Sequence, residues 1–310
     1  MSSSDSHGFS RSHSIYSHGF SRSYSISELR GRIGRSPEYL QSLQGPVGTL
    51  NSEDYHYQTT LVNSLFSKVY QVKDQRTNVL YAAKQLWVVD AQNCVSAIPD
   101  ICNEIDILAA INHPSIVNFE GFFSNDPYTT LIFEYAPGGD LKDLLTASDN
   151  ISQSETVIYT TQLAEAIHYL HDQSIIHRDL KLKNILVFPN EVVKIADFGT
   201  ATFLPECGYV SEVCGTPYIQ PPEMLSGSTY SKPIDWWALG IVMYELLSNE
   251  RPFVKLSYTG SDITNSDHQI AYHSSFGPDI FAVISLLLLR DPQERLTSLD
   301  ALQQIEIFKK

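Results

Sequence analysis

The chain has 310 residues, with 21 Lys and Arg against 35 Asp and Glu, a formal net charge of -14. That balance argues against a nucleic-acid binder, because phosphate contacts need clustered cations, and suits a soluble protein that attracts basic partners. Hydrophobic residues make up 43%, enough for a large buried core, and the length suits two domains or one bilobal one.

Residues 1–54 read as a disordered Ser-rich tail of low hydrophobicity. An 11-residue repeat runs through it, HGFSRSHSI at His7–Ile15 and HGFSRSYSI at His18–Ile26. Two copies are too few for a solenoid. Ser14 and Ser25 each follow an Arg by three residues, as many phosphorylation sites do, so the tail reads equally as regulated or as plain solvated chain. Residues 1–56 hold five Arg and five acidic residues, so the whole negative charge falls on 57–310. The N-terminus lacks an apolar secretory core, and Ser2 rules out N-myristoylation.

From about Tyr55 the pattern changes. Leu61–Val72 and Val79–Leu86 alternate as strands do. Asn103–Ile111 sets Ile105, Leu108 and Ile111 at helical spacing, and Ile116–Phe123 and Thr129–Tyr135 read as further strands. After Gly138-Gly139 the chain turns helical. Ser154–Gln173 carries Val157, Leu163, Ile167 and Leu170 on one stripe. Asp235–Leu247 is almost wholly apolar, which predicts burial on all sides. Ile280–Leu289 predicts a buried core helix, far short of the ~20 residues of a membrane span. A strand-rich part followed by a helical part predicts an α+β fold of two lobes, about 55–135 and 136–310. The four cysteines, Cys94, Cys102, Cys207 and Cys214, form no CxxC pair, which speaks against a zinc ribbon. They read as reduced thiols in a cytoplasmic protein, packed as small buried hydrophobes.

The chemistry-bearing run is His177-Arg178-Asp179-Leu180-Lys181-Leu182-Lys183-Asn184, followed by Asp197-Phe198-Gly199. Upstream stand Tyr81-Ala82-Ala83-Lys84 and, twenty residues on, Glu104. Downstream stand Pro222-Glu223, Asp235-Trp236 and Arg295. Singly, each has a plain reading as an edge charge, a surface acid or a turn. Jointly, in this order, they resemble the eukaryotic protein kinase family, serine/threonine type, over about residues 57–310.

The resemblance implies a bilobal catalytic domain over 55–310. It implies ATP and Mg2+ as cofactors, and protein substrates carrying Ser or Thr. Phosphoryl transfer needs positioning and charge neutralisation. By resemblance Asp197 and Asn184 hold magnesium, Lys84 meets the phosphates and Glu104 orients Lys84. Asp179 is the general base and Lys181 steadies the transferring phosphate. Val69, Ala82, Leu141 and Leu186 surround adenine, with Phe133 as gatekeeper. Glu134, Tyr135 and Ala136 form the hinge, and Asp140 meets the ribose. Leu108, Phe119, His177 and Phe198 match the spine that links the lobes. Asp140 and Glu245 fall where basophilic members bind substrate Arg, whereas Lys183 falls where many of those carry Glu. The resemblance names no nucleic-acid or membrane partner and leaves the oligomeric state open.

The sequence departs from the family at three places. The glycine-rich loop aligns with Val62-Asn63-Ser64-Leu65-Phe66-Ser67, with all three glycines absent. Glycine there lets backbone N–H groups approach phosphate, and Val62 stiffens the chain. Ser64 and Ser67 offer hydroxyls instead. The alternative this opens is a pseudokinase scaffold with little ATP turnover. Second, Glu212 stands at the usual phosphorylation position before Gly215-Thr216. It is a candidate permanent anion for Arg178, with Ser211 the rival phosphate acceptor. Third, Pro221 and Ile219 replace the family's Ala and Tyr. Cys207 and Cys214 lie in the same segment, where a redox role needs a lowered thiol pKa.

Overall fold

The computed structural model describes residues 48–64, 67–87, 98–125, 128–148, 151–253 and 270–309. The serine repeat, Phe66 and Cys94 fall outside the described residues.

The first lobe is a six-stranded sheet. Its strands are β1 (Gly48–Thr49), β2 (Tyr55–Asn63), β3 (Ser67–Asp74), β4 (Leu80–Trp87), β5 (Phe119–Asn125) and β6 (Tyr128–Glu134), in the order β1-β5-β6-β4-β3-β2. Helix α1 (Ile98–Ala110) lies between β4 and β5 in the chain. All pairings are antiparallel except β1 with β5. The alternation read through Leu61–Val72 belongs to two strands, because the chain reverses after Ser64 and Val62 comes opposite Val69. The run read as a strand from Ile116 starts at Phe119. Ile116 instead bridges Ile195 across the lobe junction.

Part of the predicted tail, Gly48–Asp54, has regular structure. Gly48 and Thr49 add a parallel edge strand to β5, and the Leu50 N–H donates to the Phe122 carbonyl at 2.8 Å. Asn51 then caps the turn Ser52–Asp54 by accepting from the Glu53 N–H. Two residues of pairing are too short to show as a period.

The second lobe is helical. Its helices are α2 (Leu141–Ser148), α3 (Gln153–Asp172), α4 (Pro222–Leu225), α5 (Pro233–Ser248), α6 (Pro278–Leu287) and α7 (Leu299–Gln303). Ser152 and Glu155 form a reciprocal capping box that starts α3. Helix α5 is buried from Ile234 to Leu247, as its apolar sequence predicts. Helix α6 is buried on one face only, through Ile280, Val283, Ile284 and Leu287, while Leu286 is 42% exposed. Its outer leucines therefore exceed what the core takes up. Short strands β7 (Ile175–Ile176), β8 (Ile185–Phe188), β9 (Val192–Ile195) and β10 (Thr202–Phe203) line the lobe junction, β8 pairing with β9 and β7 with β10.

One apolar core runs through both lobes. Ile105 and Leu108 of α1 and Phe119 of β5 share it with Phe198, Leu163 of α3 and Trp236 of α5. A separate small cluster, Tyr55, Val72, Ala83, Phe123 and Ile132, sits on the other face of the sheet, with the Tyr55 and Phe123 rings stacked. None of the described cysteines is fully buried: Cys207 is exposed, and Cys102 and Cys214 are intermediate. The expectation of buried thiols fails because these positions lie on partly exposed surfaces of α1 and of the segment after β10. Among the described residues no helix is long and apolar enough to cross a membrane.

Candidate active site

The loop between β7 and β8 carries Arg178, Asp179, Lys181 and Asn184, and a buried aspartate shapes it. Asp235, one turn into α5, accepts the backbone N–H groups of His177 and Arg178, each at 3.0 Å. Its Oδ2 also pairs with His171 Nε2 at 2.9 Å. Burial opposes its charge, but His171 and the N–H donors outweigh burial and lower its pKa. These bonds hold Arg178 at φ 69, a left-handed conformation costly for a side chain with a Cβ. The sequence marks Asp235 only as a landmark; an acid in the first turn of an apolar helix is the available signal.

Three predicted residues from three elements converge. Lys84 on β4 donates from Nζ to Glu104 Oε1 on α1 at 2.6 Å and to Asp197 Oδ1 at 2.7 Å. Burial works against the Lys84 charge, yet Glu104 and Asp197 together raise its pKa. Lys84 in turn holds Asp197 down at about 2, against a smaller opposing effect of burial. Asp197 sits at φ 61, immediately before the turn Phe198–Thr200, with its side chain 48% exposed.

The second cluster centres on Asp179, which is 6% exposed. Lys181 Nζ donates to its Oδ2 at 2.6 Å and to Thr216 Oγ1 at 2.6 Å. The Thr216 N–H donates to Asp179 Oδ1 at 2.8 Å. Asn184 donates from Nδ2 to the Asp179 carbonyl at 2.8 Å and to Oδ2 at 3.0 Å. The Ala196 N–H donates to the Asn184 carbonyl at 2.8 Å, which ties Asn184 to the residue before Asp197. Gly215 has φ +79, and a Cβ there would run into the Arg178 carbonyl. Only glycine passes that point.

Arg178 is anchored at both ends of its side chain. Its Nε donates to the Thr200 carbonyl at 2.5 Å, and its Nη1 to Glu212 Oε2 at 3.1 Å and to the Tyr230 hydroxyl at 3.3 Å. The Tyr230 hydroxyl donates in turn to the Glu212 carbonyl. Sequence reading missed Tyr230, which has no motif around it. Ser211, beside Glu212, is exposed. Burial raises the Cys214 thiol pKa despite nearby Arg178, which removes the case for a reactive thiolate there.

The residues predicted around adenine lie at the lobe junction. Val69 and Lys84 are register partners, Ala82 pairs with Phe133, and Leu186 bridges Asp140. Val69, Ala82 and Leu186 are half-buried, and Leu141 is buried beneath. Phe133 packs its ring on Phe119 at 5.5 Å, and His177 meets Phe198 edge-on at 5.0 Å. The Glu134 carboxylate is taken by Lys194 at 2.7 and 2.9 Å and by the Asn118 N–H at 2.7 Å. The Ala136 carbonyl accepts from the Gly139 N–H. Asp140 accepts the Asp143 N–H at 2.8 Å, and burial raises its pKa.

Ser64 and Ser67 turn to each other. The Ser64 hydroxyl donates to the Ser67 carbonyl at 2.8 Å and accepts the Ser67 N–H at 3.1 Å. The two hydroxyls stand 3.2 Å apart. The two serines are thus bonded to each other, and the Ser67 N–H is committed to Ser64.

Residues 55–305 match the protein kinase domain family. The chain belongs to the protein kinase family, serine/threonine type. It is 30% identical over 257 residues to cAMP-dependent protein kinase type 3 of Saccharomyces cerevisiae, covering 81% of this chain and 63% of that protein. It is 33% identical over 251 residues to NUAK family SNF1-like kinase 1 of Homo sapiens, covering 78% of this chain and 37% of the relative. It is 30% identical over 257 residues to the Aurora kinase of Dictyostelium discoideum, covering 83% of this chain and 66% of the relative. The kinase chain therefore spans between about a third and two thirds of the length of these relatives. Glu223 and Arg295, two of the motif residues, form a bidentate ion pair at 2.7 and 3.0 Å.

Proposed function

We propose that this kinase transfers the γ-phosphate of ATP to Ser or Thr of protein substrates. The observation that carries the reading is Lys84 held between Glu104 and Asp197, on three separate elements, at hydrogen-bond distance from both. A largely buried ammonium paired with the buried Glu104 carboxylate is costly to assemble unless the arrangement has work to do.

The residues fit a magnesium site. Asp197 is held ionised, and Asn184 has its amide nitrogen committed to Asp179, so its amide oxygen is the donor that remains. Both are hard oxygen ligands, and magnesium sites of this kind rely on one or two protein oxygens plus phosphate. Among the described residues no cluster of three or more His, Cys, Asp or Glu forms a cage for metal, in keeping with that pattern. When bound, the metal neutralises charge on the phosphates.

The chain's own residues supply the rest. Asp179, fixed by Thr216 and Asn184, accepts the proton of the substrate hydroxyl at Oδ1 or Oδ2. Lys181 spans Asp179 and Thr216 and places a positive charge where the phosphoryl group crosses. Lys84 orients phosphate oxygens, and Glu104 stops Lys84 from collapsing onto Asp197 alone. Val69, Ala82 and Leu186 offer apolar walls to the adenine ring, and the Glu134 and Ala136 backbone its edge. The Lys181 contact to Asp179 supports Ser/Thr rather than Tyr transfer. The thiols of Cys207 and Cys214 support a cytoplasmic setting.

A scaffold without turnover is the second reading, favoured by one observation, the bonding of Ser64 and Ser67 to each other. Transfer of labelled γ-phosphate to a generic basic protein, at millimolar ATP with magnesium, separates the two. Transfer by wild type and none by Asp179→Asn supports the enzyme. No transfer by folded wild type supports the scaffold.

A further inference from the structure

Glu245 is the most expensive acid among the described residues that the catalytic scheme leaves unused. It is 7% exposed and lies in the last turn of α5, where the helix dipole opposes negative charge. Among the described residues its Oε2 is buried with no hydrogen-bond partner, and its Oε1 has one long contact, from Arg251 Nε at 3.4 Å. Burial raises its pKa, against a smaller pull from Arg251. A half-satisfied buried carboxylate of this kind calls for a cation.

Arg251 is that cation, and it is supplied by the same chain. The helix ends at Asn249, whose N–H donates to the Glu245 carbonyl at 2.9 Å from a left-handed φ of 53. The chain then folds back, fixed by Phe253 stacked on Trp237 at 5.4 Å and 7°. Arg251 comes to rest over the Tyr218 ring, its Cζ 3.7 Å from the centroid, with half of its side chain exposed.

The place of this cluster gives it meaning. Tyr218 is two residues after Thr216, whose N–H is bonded to the base Asp179. Burial first, then the charges of Glu245 and Asp179, push the Tyr218 hydroxyl up to about 12, so the ring feels both acids. Tyr218, with Arg251 on its face, therefore follows closely on the residue that holds the base.

We infer that Arg251 occupies, in cis, an acidic subsite built by Glu245 for a basic side chain of the substrate, and so relieves this kinase of a requirement for arginine there. The inference rests on the reading of the chain as a protein kinase. A substrate arginine has to displace a tethered guanidinium that already holds the carboxylate and the ring, so it gains little. With Arg251 gone, the buried Oε1 and Oε2 of Glu245 are open to it.

The test measures binding, so it reads out whether or not phosphate is transferred. Fluorescence anisotropy is followed for Ser-containing peptides in which a single Arg is walked along the flanking positions, with an all-Ala peptide as reference. The proteins are the full-length wild type, Arg251→Ala and the double variant Arg251→Ala with Glu245→Gln. Wild type is expected to bind all peptides within about twofold of one another. Arg251→Ala is expected to bind the peptide with Arg at one position at least about tenfold more tightly than the reference. The double variant is expected to lose that preference. An unchanged profile in Arg251→Ala, no binding of any peptide by it, or a tenfold arginine preference already in wild type overturns the inference. Should Arg251→Ala lose its fold by circular dichroism, Arg251→Gln keeps a planar group over Tyr218 and removes the charge alone. Failure of the kinase reading shows separately, as absent phosphate transfer by a protein whose peptide profile still shifts.

Discussion

Arg178 Nη1 donates to Glu212 Oε2 at 3.1 Å, so the arginine beside Asp179, the proposed base, already has an anion from the segment that follows Asp197. The pair joins a buried end to an open one: Arg178 is 7% exposed and Glu212 73%. Kinases commonly order this segment through an arginine paired with a phosphorylated side chain. Here the carboxylate is built into the chain. Phosphatase treatment is expected to leave wild-type transfer unchanged, Ser211→Ala to be neutral, and Glu212→Ala to lower kcat about fivefold, within the range of a partly exposed ion pair. Phosphatase-sensitive activity, retained in Glu212→Ala, would sink this view and point to Ser211.

Ser64 and Ser67 spend a hydroxyl and an N–H on each other. Ser64→Gly removes the acceptor that holds the Ser67 N–H and restores backbone freedom at that position. Freeing one such hydrogen bond is worth about 1 kcal/mol. The variant is therefore expected to lower the KM for ATP about fivefold with kcat little changed. A KM equal to or above that of wild type in steady-state assays contradicts this.

Gly215 passes the Arg178 carbonyl where a side chain cannot. Gly215→Ala is expected to push the Thr216 N–H away from Asp179 and reduce phosphate transfer at least about a hundredfold. Its melting temperature should fall only modestly, because the clash lies in a loop. Transfer within threefold of wild type would show that the contact adapts.

Glu223 and Arg295 form a pair in which the arginine side chain is fully buried, its guanidinium also donating to the Pro233 carbonyl at 3.0 Å and facing Trp237. Removing one partner leaves an uncompensated buried charge. Glu223→Ala is expected to cost about 3 kcal/mol in urea denaturation, and Glu223→Gln less. A loss below about 1 kcal/mol would mean that the backbone carbonyls around Arg295 suffice.

The link between Lys84 and Asp197 sets an acid limit. Asp197 has its pKa lowered by Lys84 to about 2, so its contribution to stability is present above the ordinary aspartate value of about 3.9 and lost as pH falls towards about 2. Lys84 is shifted upward, so its share is full below the ordinary lysine range and fades only above it. The stability difference between wild type and Asp197→Asn should be flat from pH 5 to 9 and shrink below about pH 4. A difference that already falls between pH 7 and 5 would implicate another group.

What the sequence determined by itself was mostly local or periodic. The helical stripe of Leu163, Ile167 and Leu170, the apolar α5 and the strand alternation around Lys84 follow from side-chain period and propensity. The motif residues were legible because their spacing along the chain is itself the signature. The sequence did not show that Gly48–Thr49 joins the sheet, since two paired residues carry no period, nor that Leu61–Val72 folds back on itself. Tertiary structure alone decided the contacts between residues far apart in the chain. Asp235 reaches back to the backbone of His177 and Arg178, Tyr230 clasps Glu212, and Arg251 lies over Tyr218 against Glu245. Each depends on where a helix end or loop comes to rest after the core has packed, and packing is a property of the whole chain. The same holds for Ser64 and Ser67: their identity suggested groups to meet phosphate, and the bonds they form commit those groups to each other.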